Sequence, residues 1–389
     1  MKQLSFITEL FTESVIREMT RICDSKDGLN LSQGFPDFDS PPDIKEAACS
    51  AIRMNLNQYP VTFGEPELRN AISKKALWYN KMSVDPEKEI TVTCGATEAM
   101  IATLKAIINQ GDEVIIFEPF YENYGADTIL SGAKPRYVTL RPPNWDFDHD
   151  ELTKAFNNKT KAIIINTPNN PTGKVFSTND LEKIVELCLK WDVIAVTDEI
   201  YEHIIYDSIQ HLSIASFPEM RNRTVTINSI SKTYSVTGWR IGWAIAAEDI
   251  SARIRKVHDF LTVGAPTPFQ HAAVSALNFP KDYYDSLTEK YTELRDQLFH
   301  ILTNNGFKSY LPQGAYYILA DYSNLQRIMQ SESDFDFSVK LLEKTGVASV
   351  PGSSFFSSGS DSGLIRFAFC KKKETIDKVE VLFQNKLLT

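Results

Sequence analysis

The chain has 389 residues, of which 43% are hydrophobic, 23% charged and 11% aromatic, a composition that excludes disordered, collagen-like and coiled-coil proteins. Forty-one basic and fifty acidic residues leave a formal net charge of −9, which disfavours nucleic acids and anionic membranes as main partners. At about 100–200 residues per domain, this length predicts two or three folding units.

Short runs rich in β-branched residues recur along the first three quarters of the chain, separated by stretches with helical spacing. The runs that we predict as strands cover residues 90–93, 113–117, 162–166, 193–197, 224–227 and 243–246. Between two of them, Leu181, Ile184, Val185 and Cys188 follow the i, i+3, i+4, i+7 spacing of an amphipathic helix. Strands that alternate with helices predict an α/β fold whose sheet is mostly parallel and covered by helices on both faces.

The alternation of predicted strands and helices ends near residue 285. A polar helical stretch over residues 291–303 ends at an Asn-Gly pair, and short apolar runs at 316–320 and 364–369 flank another helix. We therefore expect a smaller α+β domain over residues 286–389 and a large domain over residues 43–285. Residues 1–42, a helix followed by a Gly/Pro-rich segment, are expected to pack with the small domain.

The cysteines and the apolar runs bear on the compartment. Cys23, Cys49, Cys94, Cys188 and Cys370 are odd in number and form no CxxC pair, so we expect reduced thiols in a cytoplasmic protein. No run reaches the ~20 apolar residues of a membrane helix, and the first residues are too polar for a signal peptide.

No resident metal is expected from the sequence. The segment 146–150 imitates the start of a calcium loop, but Glu151 stands where that loop requires glycine. HExxH is absent, and His203, His258 and His271 lack the spacing of metal ligands, so we expect structural histidines. GxGxxG and GxxxxGK[ST] are absent as well, which counts against dinucleotide and nucleoside triphosphate sites.

Small and polar residues follow five of the predicted strands at their carboxyl ends. In chain order these residues are Gly95-Ala96-Thr97, Tyr121, Asn170, Asp198 with Tyr201, and Ser229 with Lys232. Since ligands of open α/β sheets bind beyond the carboxyl ends of the strands, the five ends together predict a site. Taken singly, each has a structural alternative: the Gly95 segment is then only a tight turn, Asp198 a helix cap and Lys232 a solvent-facing lysine.

Two arginines lie in apolar surroundings. Arg240 stands in Gly238-Trp239-Arg240-Ile241-Gly242, and Arg366 stands in Leu364-Ile365-Arg366-Phe367-Ala368-Phe369. An arginine in such company requires an anionic partner, which is either an internal carboxylate or a ligand.

The segment Ser229-Ile230-Ser231-Lys232-Thr233-Tyr234, with Thr237-Gly238-Trp239-Arg240-Ile241-Gly242 after it, resembles the cofactor-lysine segment of the class I/II pyridoxal-phosphate-dependent aminotransferases of fold type I. Asn170-Pro171-Thr172-Gly173, Asp198 with Tyr201, and Arg366 agree with that family in order and spacing. The resemblance runs from about residue 28 to the C-terminus. Within the family, residues 30–38, 201–204 and 256–262 resemble the methionine and kynurenine–glutamine aminotransferase branch.

The resemblance implies a pyridoxal 5'-phosphate site and a role for each matching residue. Lys232 would bind the cofactor covalently and move the substrate proton, and Asp198 would pair with the ring nitrogen. Tyr201 and Asn170 would hydrogen-bond the ring's phenolic oxygen, and Tyr121 would stack on the ring face. The groups implied to hold the phosphate are the N–H groups of Ala96 and Thr97, Ser229, Arg240 and, from the neighbouring subunit of a homodimer, Tyr59.

For the substrate, the resemblance implies that Arg366, with Asn170 and the Gly34 backbone, clamps the α-carboxylate. The implied reaction is ping-pong transamination between an L-amino acid (methionine, aromatic or glutamine-like) and a 2-oxo acid. We find no second arginine clearly placed for a side-chain carboxylate, which disfavours dicarboxylic donors. The alternative on the same fold is a carbon–sulfur β-lyase acting on cysteine conjugates or cystathionine. A cofactor-binding regulator is disfavoured, because no basic helix-turn-helix segment precedes residue 28.

Overall fold

The β-branched runs of the sequence form the central sheet of the protein. The computed structural model describes residue 2 and residues 4–387. Its strands are β1 Leu29–Asn30, β2 Ile90–Thr93, β3 Glu113–Glu118, β4 Lys134–Thr139, β5 Thr160–Asn166, β6 Ile194–Asp198, β7 Thr224–Ser229, β8 Gly242–Ile245, β9 Lys308–Ser309, β10 Tyr317–Asp321, β11 Val347–Ala348, β12 Val350–Pro351 and β13 Leu364–Ala368.

Helices with one apolar face connect and cover these strands. They are α1 Val15–Ser25, α2 Pro42–Arg53, α3 Pro66–Trp78, α4 Gly95–Ile107, α5 Asn123–Leu130, α6 His149–Ala155, α7 Thr178–Trp191, α8 Glu248–Leu261, α9 Thr267–Leu277, α10 Lys281–Asn304, α11 Ser323–Met329, α12 Asp334–Thr345 and α13 Lys373–Lys386. None of the helices in the described part of the chain is long and apolar enough to cross a membrane.

Seven strands form the large sheet, in the order β2-β8-β7-β6-β5-β3-β4. Neighbours from β7 to β4 pair in parallel, whereas β8 is antiparallel to both β2 and β7. One apolar cluster packs α4, α5 and α8 on one face of the sheet, and a second packs α6 and α7 on the other. The predicted α/β fold with a mostly parallel, helix-covered sheet is therefore confirmed.

Two details of the sheet were not predicted. The predicted strand over 243–246 forms β8 as the one antiparallel member among the described strands of this sheet. Strand β4 was absent from the prediction, because its sequence Lys-Pro-Arg-Tyr-Val-Thr is half polar and contains a proline. Its place at the edge of the sheet explains both features, since an edge strand tolerates proline and exposed polar side chains.

The C-terminal part of the chain builds a second sheet, in the order β12-β13-β10-β9, whose neighbours are all antiparallel. Strand β1, from the N-terminal part, pairs in parallel with β11, with Leu29 opposite Val347. Helix α10 crosses the predicted boundary at residue 285. The division of the chain into residues 1–42, 43–285 and 286–389 stays a prediction.

Candidate active site

The carboxyl ends of the parallel strands open onto a cavity of about 850 Å3. The register explains why the predicted residues meet there, because Asn166 at the end of β5 lies opposite Asp198 at the end of β6. The predicted residues that line the cavity are Gly34, Ala96, Thr97, Tyr121, Asn170, Asp198, Tyr201, Ser229, Lys232, Arg240 and Arg366. Tyr59 does not line it; its side chain is exposed elsewhere on the surface.

Lys232 follows β7 and extends its side chain towards the N-terminal part of the chain. Its Nζ donates a hydrogen bond to the Gly34 carbonyl oxygen at 3.1 Å. Desolvation lowers the pKa of Lys232 to about 8; the charges of Arg240 and Arg366 add to this shift, while Cys370 and Asp198 oppose it. A lysine with this pKa has an appreciable neutral fraction near neutral pH, so its amine can act as a nucleophile or a base.

Asp198 ends β6 on the floor of the cavity. Its Oδ2 accepts a hydrogen bond from the Tyr124 hydroxyl at 2.7 Å, and its Oδ1 accepts one from the Ile200 N–H at 3.3 Å. Burial raises the pKa of Asp198 to about 6, against the opposing effects of both hydrogen bonds and of Lys232. A desolvated carboxylate of this kind pairs strongly with a cationic group brought against it.

Tyrosines surround the lysine. The hydroxyls of Tyr201 and Tyr317 lie 3.0 Å apart, and the Tyr316 hydroxyl donates to the Gly34 carbonyl oxygen at 2.9 Å. The Lys232 Nζ lies 5.9 Å from the ring centre of Tyr201 and 5.7 Å from that of Tyr316. Burial raises the pKa of Tyr201 well above its usual value, so its hydroxyl keeps its proton and can donate it in a hydrogen bond.

Arg366 lies on β13 and is only 1% exposed. Its Nη1 donates to Asn170 Oδ1 at 2.8 Å and its Nη2 to the Ser32 carbonyl oxygen at 2.7 Å. The guanidinium lies 4.2 Å from the ring centre of Tyr317 and 4.8 Å from that of Phe355. Its Nε has no hydrogen-bond partner, and no carboxylate in the described part of the chain pairs with it. This buried, uncompensated cation calls for an anion from outside the chain.

The start of α4 forms another part of the cavity wall. The first N–H groups of a helix have no partner within it, and those of Ala96 and Thr97 are at that position. Within the described part of the chain, Arg240 bonds only to carbonyl oxygens, those of Thr237 at 3.1 Å and Cys94 at 3.4 Å. A Cβ atom on Gly95, whose φ is +81°, would lie 2.4 Å from Arg240 Nη2, so glycine is required for this approach. Helix start and guanidinium together make an anion site.

Several lining residues were missed by the sequence analysis. Tyr317 on β10 lines the cavity beside Arg366, and the sequence marked it only as part of the apolar run 316–320. Residues 10–17, which precede and begin α1, also line the cavity, and they bring the exposed Arg17 to it. No local pattern indicates this, because α1 reaches the cavity only through tertiary contacts.

Known proteins identify the family. The model of the family described as "Aminotransferase class I and II" matches residues 26–380. The chain is a class I/II aminotransferase. "Kynurenine--oxoglutarate transaminase 3" of Homo sapiens is 36% identical to it, over 94% of this chain and 87% of that protein. "Methionine aminotransferase" of Escherichia coli strain K12 is 34% identical, over 93% of each chain.

Solved structures agree. The N-succinyldiaminopimelate aminotransferase of Mycobacterium tuberculosis superimposes with a TM-score of 0.93 at 35% identity, over 99% of this chain and 100% of that chain. Members of the family act on small-molecule amino acids and 2-oxo acids, and their cofactor is pyridoxal phosphate.

The residues of this aminotransferase fit the cofactor. A lysine amine of lowered pKa, the buried Asp198 carboxylate and the anion site around Arg240 line one cavity. The approach of Arg240 to the start of α4 depends on Gly95, and a Cβ atom on Gly242 would lie 2.5 Å from the Ala96 nitrogen. Space next to the helix start is thus kept free of side chains, as the binding of a phosphate group requires.

Proposed function

We propose that this aminotransferase transfers the amino group of an L-amino acid, preferably methionine, an aromatic amino acid or a glutamine-like one, to a 2-oxo acid in a ping-pong reaction. The observation that carries the proposal is the buried guanidinium of Arg366, which has no carboxylate partner in the described chain and lines the same cavity as Lys232. Amino acids and 2-oxo acids share an α-carboxylate beside the reacting carbon, so one such arginine serves both half-reactions.

The site residues then have distinct tasks. When bound, pyridoxal phosphate supplies the electron sink that makes the substrate Cα–H bond acidic. Arg366 would bind the α-carboxylate, Lys232 Nζ would take the proton from Cα and deliver it to the cofactor's C4′ carbon, and Asp198 would hold a proton on the ring nitrogen. Tyr201 and Asn170 donate hydrogen bonds to the phenolic oxygen, and Tyr121 packs on the ring. Ala96, Thr97, Ser229 and Arg240 hold the phosphate.

The donor preference rests on the wall of the cavity. Ile16 and Tyr121 line the cavity and pack on the buried Phe355, which lies against Arg366, so this part of the wall is apolar. Such a surface suits the thioether of methionine or an aromatic ring. The names of two relatives, which refer to methionine and kynurenine, agree with this preference. Because the positively charged Arg17 lines the same cavity, donors with a side-chain carboxylate must be compared with these apolar donors.

The test is the near-visible absorbance of the purified holoenzyme when methionine is added without any 2-oxo acid. We expect loss of the yellow band and, on adding a 2-oxo acid, its recovery; Lys232→Ala should show neither change. Glutamate and N-succinyl-diamino acids, if they bleach the band faster than methionine, phenylalanine, kynurenine and glutamine, would refute the donor preference. Release of pyruvate and ammonia from a cysteine conjugate, with no 2-oxo acid present, would instead support the β-lyase alternative.

The homodimer is part of the proposal. Tyr59 is 85% exposed and Phe260 92% exposed, and the two segments that carry them are in contact, since a Cβ atom on Gly264 would lie 2.7 Å from Pro60. Large exposed apolar side chains on adjoining segments favour an interface. Mixing Tyr59→Ala subunits with Lys232→Ala subunits should restore activity at limiting cofactor, because each mixed dimer contains one intact site. If the mixture stays inactive, or if the protein sediments as a monomer, the shared site is refuted.

The cytoplasmic location stays a prediction; its support is that all five cysteines are free.

A further inference from the structure

The start of α1 is bound by a carboxylate from a distant part of the chain. Glu122 Oε2 accepts a hydrogen bond from the Ser14 hydroxyl at 2.6 Å, and Glu122 Oε1 accepts the N–H groups of Val15 at 3.1 Å and Ile16 at 3.4 Å. These N–H groups have no partner within the helix, and the positive end of the helix dipole favours a negative charge there. Glu122 therefore replaces water at the start of α1.

Both ends of this contact belong to the wall of the active-site cavity. Glu122 directly follows Tyr121, and residues 10–17 line the cavity from the other side. Ile16, whose N–H group Glu122 binds, packs against Val350 and Phe355, with Tyr121 beside them. The Glu122 carboxylate thus joins the start of α1, which lines the cavity, to the loop that carries Tyr121.

A second hydrogen bond leads from α1 to the segment that carries Gly34. Thr20 Oγ1 donates to Gln33 Oε1 at 3.2 Å, and Gln33 precedes Gly34, whose carbonyl oxygen accepts from Lys232. Beyond these polar ties, α1 buries only Ile16, Met19 and Cys23. So few buried side chains leave the position of the helix dependent on the hydrogen bonds at its start.

We propose that Glu122 is a positioning residue for the substrate: its carboxylate fixes α1 against the Tyr121 loop and so shapes the part of the cavity that receives the substrate side chain. This inference rests on the proposed amino acid transamination. Glu122 also lines the cavity, but both of its carboxylate oxygens accept hydrogen bonds from the start of α1, so it acts on the substrate through α1. We expect the binding of the cofactor to stay unchanged.

The test compares four variants as holoenzymes. Glu122→Gln removes the charge, Ser14→Ala removes the shortest hydrogen bond, and Ser14→Thr keeps a hydroxyl and should rescue it. Asp24→Asn is the matched control, because Asp24 lies on the same helix but is exposed at its other end and does not line the cavity. For Glu122→Gln and Ser14→Ala, we expect the half-saturating methionine concentration of the half-reaction to rise about five- to tenfold. Its maximal rate should change less than twofold, and the cofactor dissociation constant should be unchanged.

Amide hydrogen exchange of the holoenzyme gives the second readout. Exchange at the start of α1 should accelerate about tenfold in Glu122→Gln and Ser14→Ala and remain at the parent rate in Ser14→Thr and Asp24→Asn. Unchanged exchange, or faster exchange with an unchanged half-saturating concentration, would overturn the proposal. A parallel loss of cofactor affinity would also overturn it, since it would indicate a general structural role. If the parent enzyme does not react with methionine, the proposed function fails but the proposal about Glu122 does not. Glu122 is then tested by the same titration with the donor that does react and by the exchange rates.

Discussion

A buried carboxyl group beside the active-site cavity should make the stability of the folded protein depend on pH. Asp127 lies on α5, is 6% exposed and lines the cavity. Its Oδ2 has no hydrogen-bond partner among the residues that the structure describes, and burial raises the pKa of Asp127 from 3.8 to about 7. Burial is the sole cause of this shift, so the charged form destabilises the folded protein without compensation.

The sign of the pH dependence is set by linkage. Since the pKa in the folded protein lies above that in the unfolded chain, the folded state prefers the protonated form, and ionisation opposes folding. The penalty is fully present above pH 7, and it decreases as the pH falls towards 3.8. About three pH units at ~1.4 kcal/mol each give a penalty of about 4 kcal/mol at pH 8 and about 2 kcal/mol at pH 5.

Asp127→Asn keeps the shape of the side chain and removes the charge, so it should stabilise the protein most at alkaline pH. With an unfolding entropy of ~2.1 cal/mol/K per residue, about 4 kcal/mol corresponds to a rise in Tm of about 5 °C at pH 8, which should shrink to about 2 °C at pH 5. The assay is calorimetry of the apoprotein from pH 5 to 8.5. The titration of Asp198 contributes equally in both proteins, so it cancels from the difference in Tm.

Asp249→Asn is the matched control, because Asp249 is exposed in the first turn of α8 and its replacement should leave a Tm difference within about 1 °C at every pH. A variant of Asp127 that is no more stable than the parent at pH 8, or equally stabilised at pH 5 and pH 8, would refute the reasoning. Either result would mean that the carboxyl group is solvated or paired in the folded protein.

Three further substitutions test other contacts. Arg366→Ala should raise the half-saturating methionine concentration at least about a hundredfold at unchanged cofactor content; an unchanged value would reject the carboxylate clamp. Glu202→Gln leaves the buried Lys75 ammonium without its partner, so unfolding should become easier by about 3–5 kcal/mol in calorimetry, whereas an unchanged Tm would contradict a charged pair. Gly95→Ala places a Cβ atom against Arg240 and should weaken cofactor binding in equilibrium dialysis about tenfold; unaltered binding would show that Arg240 has room to move.

The strand ends explain why so much of the candidate site could be predicted from the sequence. A strand buried on both faces leaves a continuous apolar run, as in residues 162–165, and the residues that follow it must lie at the carboxyl end of the sheet. Parallel pairing brings these edges together, which is why the strand pattern alone could assign Asp198 and Lys232 to one cavity. The resemblance to the family added the roles, which the spacing alone does not carry.

The missed residues reach the cavity through pairings that no local pattern encodes. Tyr317 contacts Arg366 because β10 and β13 are antiparallel, with Leu319 opposite Arg366. Nothing within either strand specifies that partner or that register. Similarly, α1 reaches the cavity because Glu122, more than a hundred residues later, binds its start. Features set by a single strand could therefore be predicted, whereas features that depend on two distant segments could not.

The candidate site is held together by the chain neighbours of its predicted functional residues. Asp198 and Ser229 line the cavity at the ends of β6 and β7, and each has a neighbour whose polar side chain is bound elsewhere. Glu199 bonds to His211 and Ser213, and Asn228 donates to Glu202, which also pairs with Lys75. In a strand consecutive side chains point to opposite sides, so a residue that faces the cavity leaves its neighbour free to anchor the backbone. Each strand end is thereby fixed one residue away from its functional group, which positions that group without occupying the cavity.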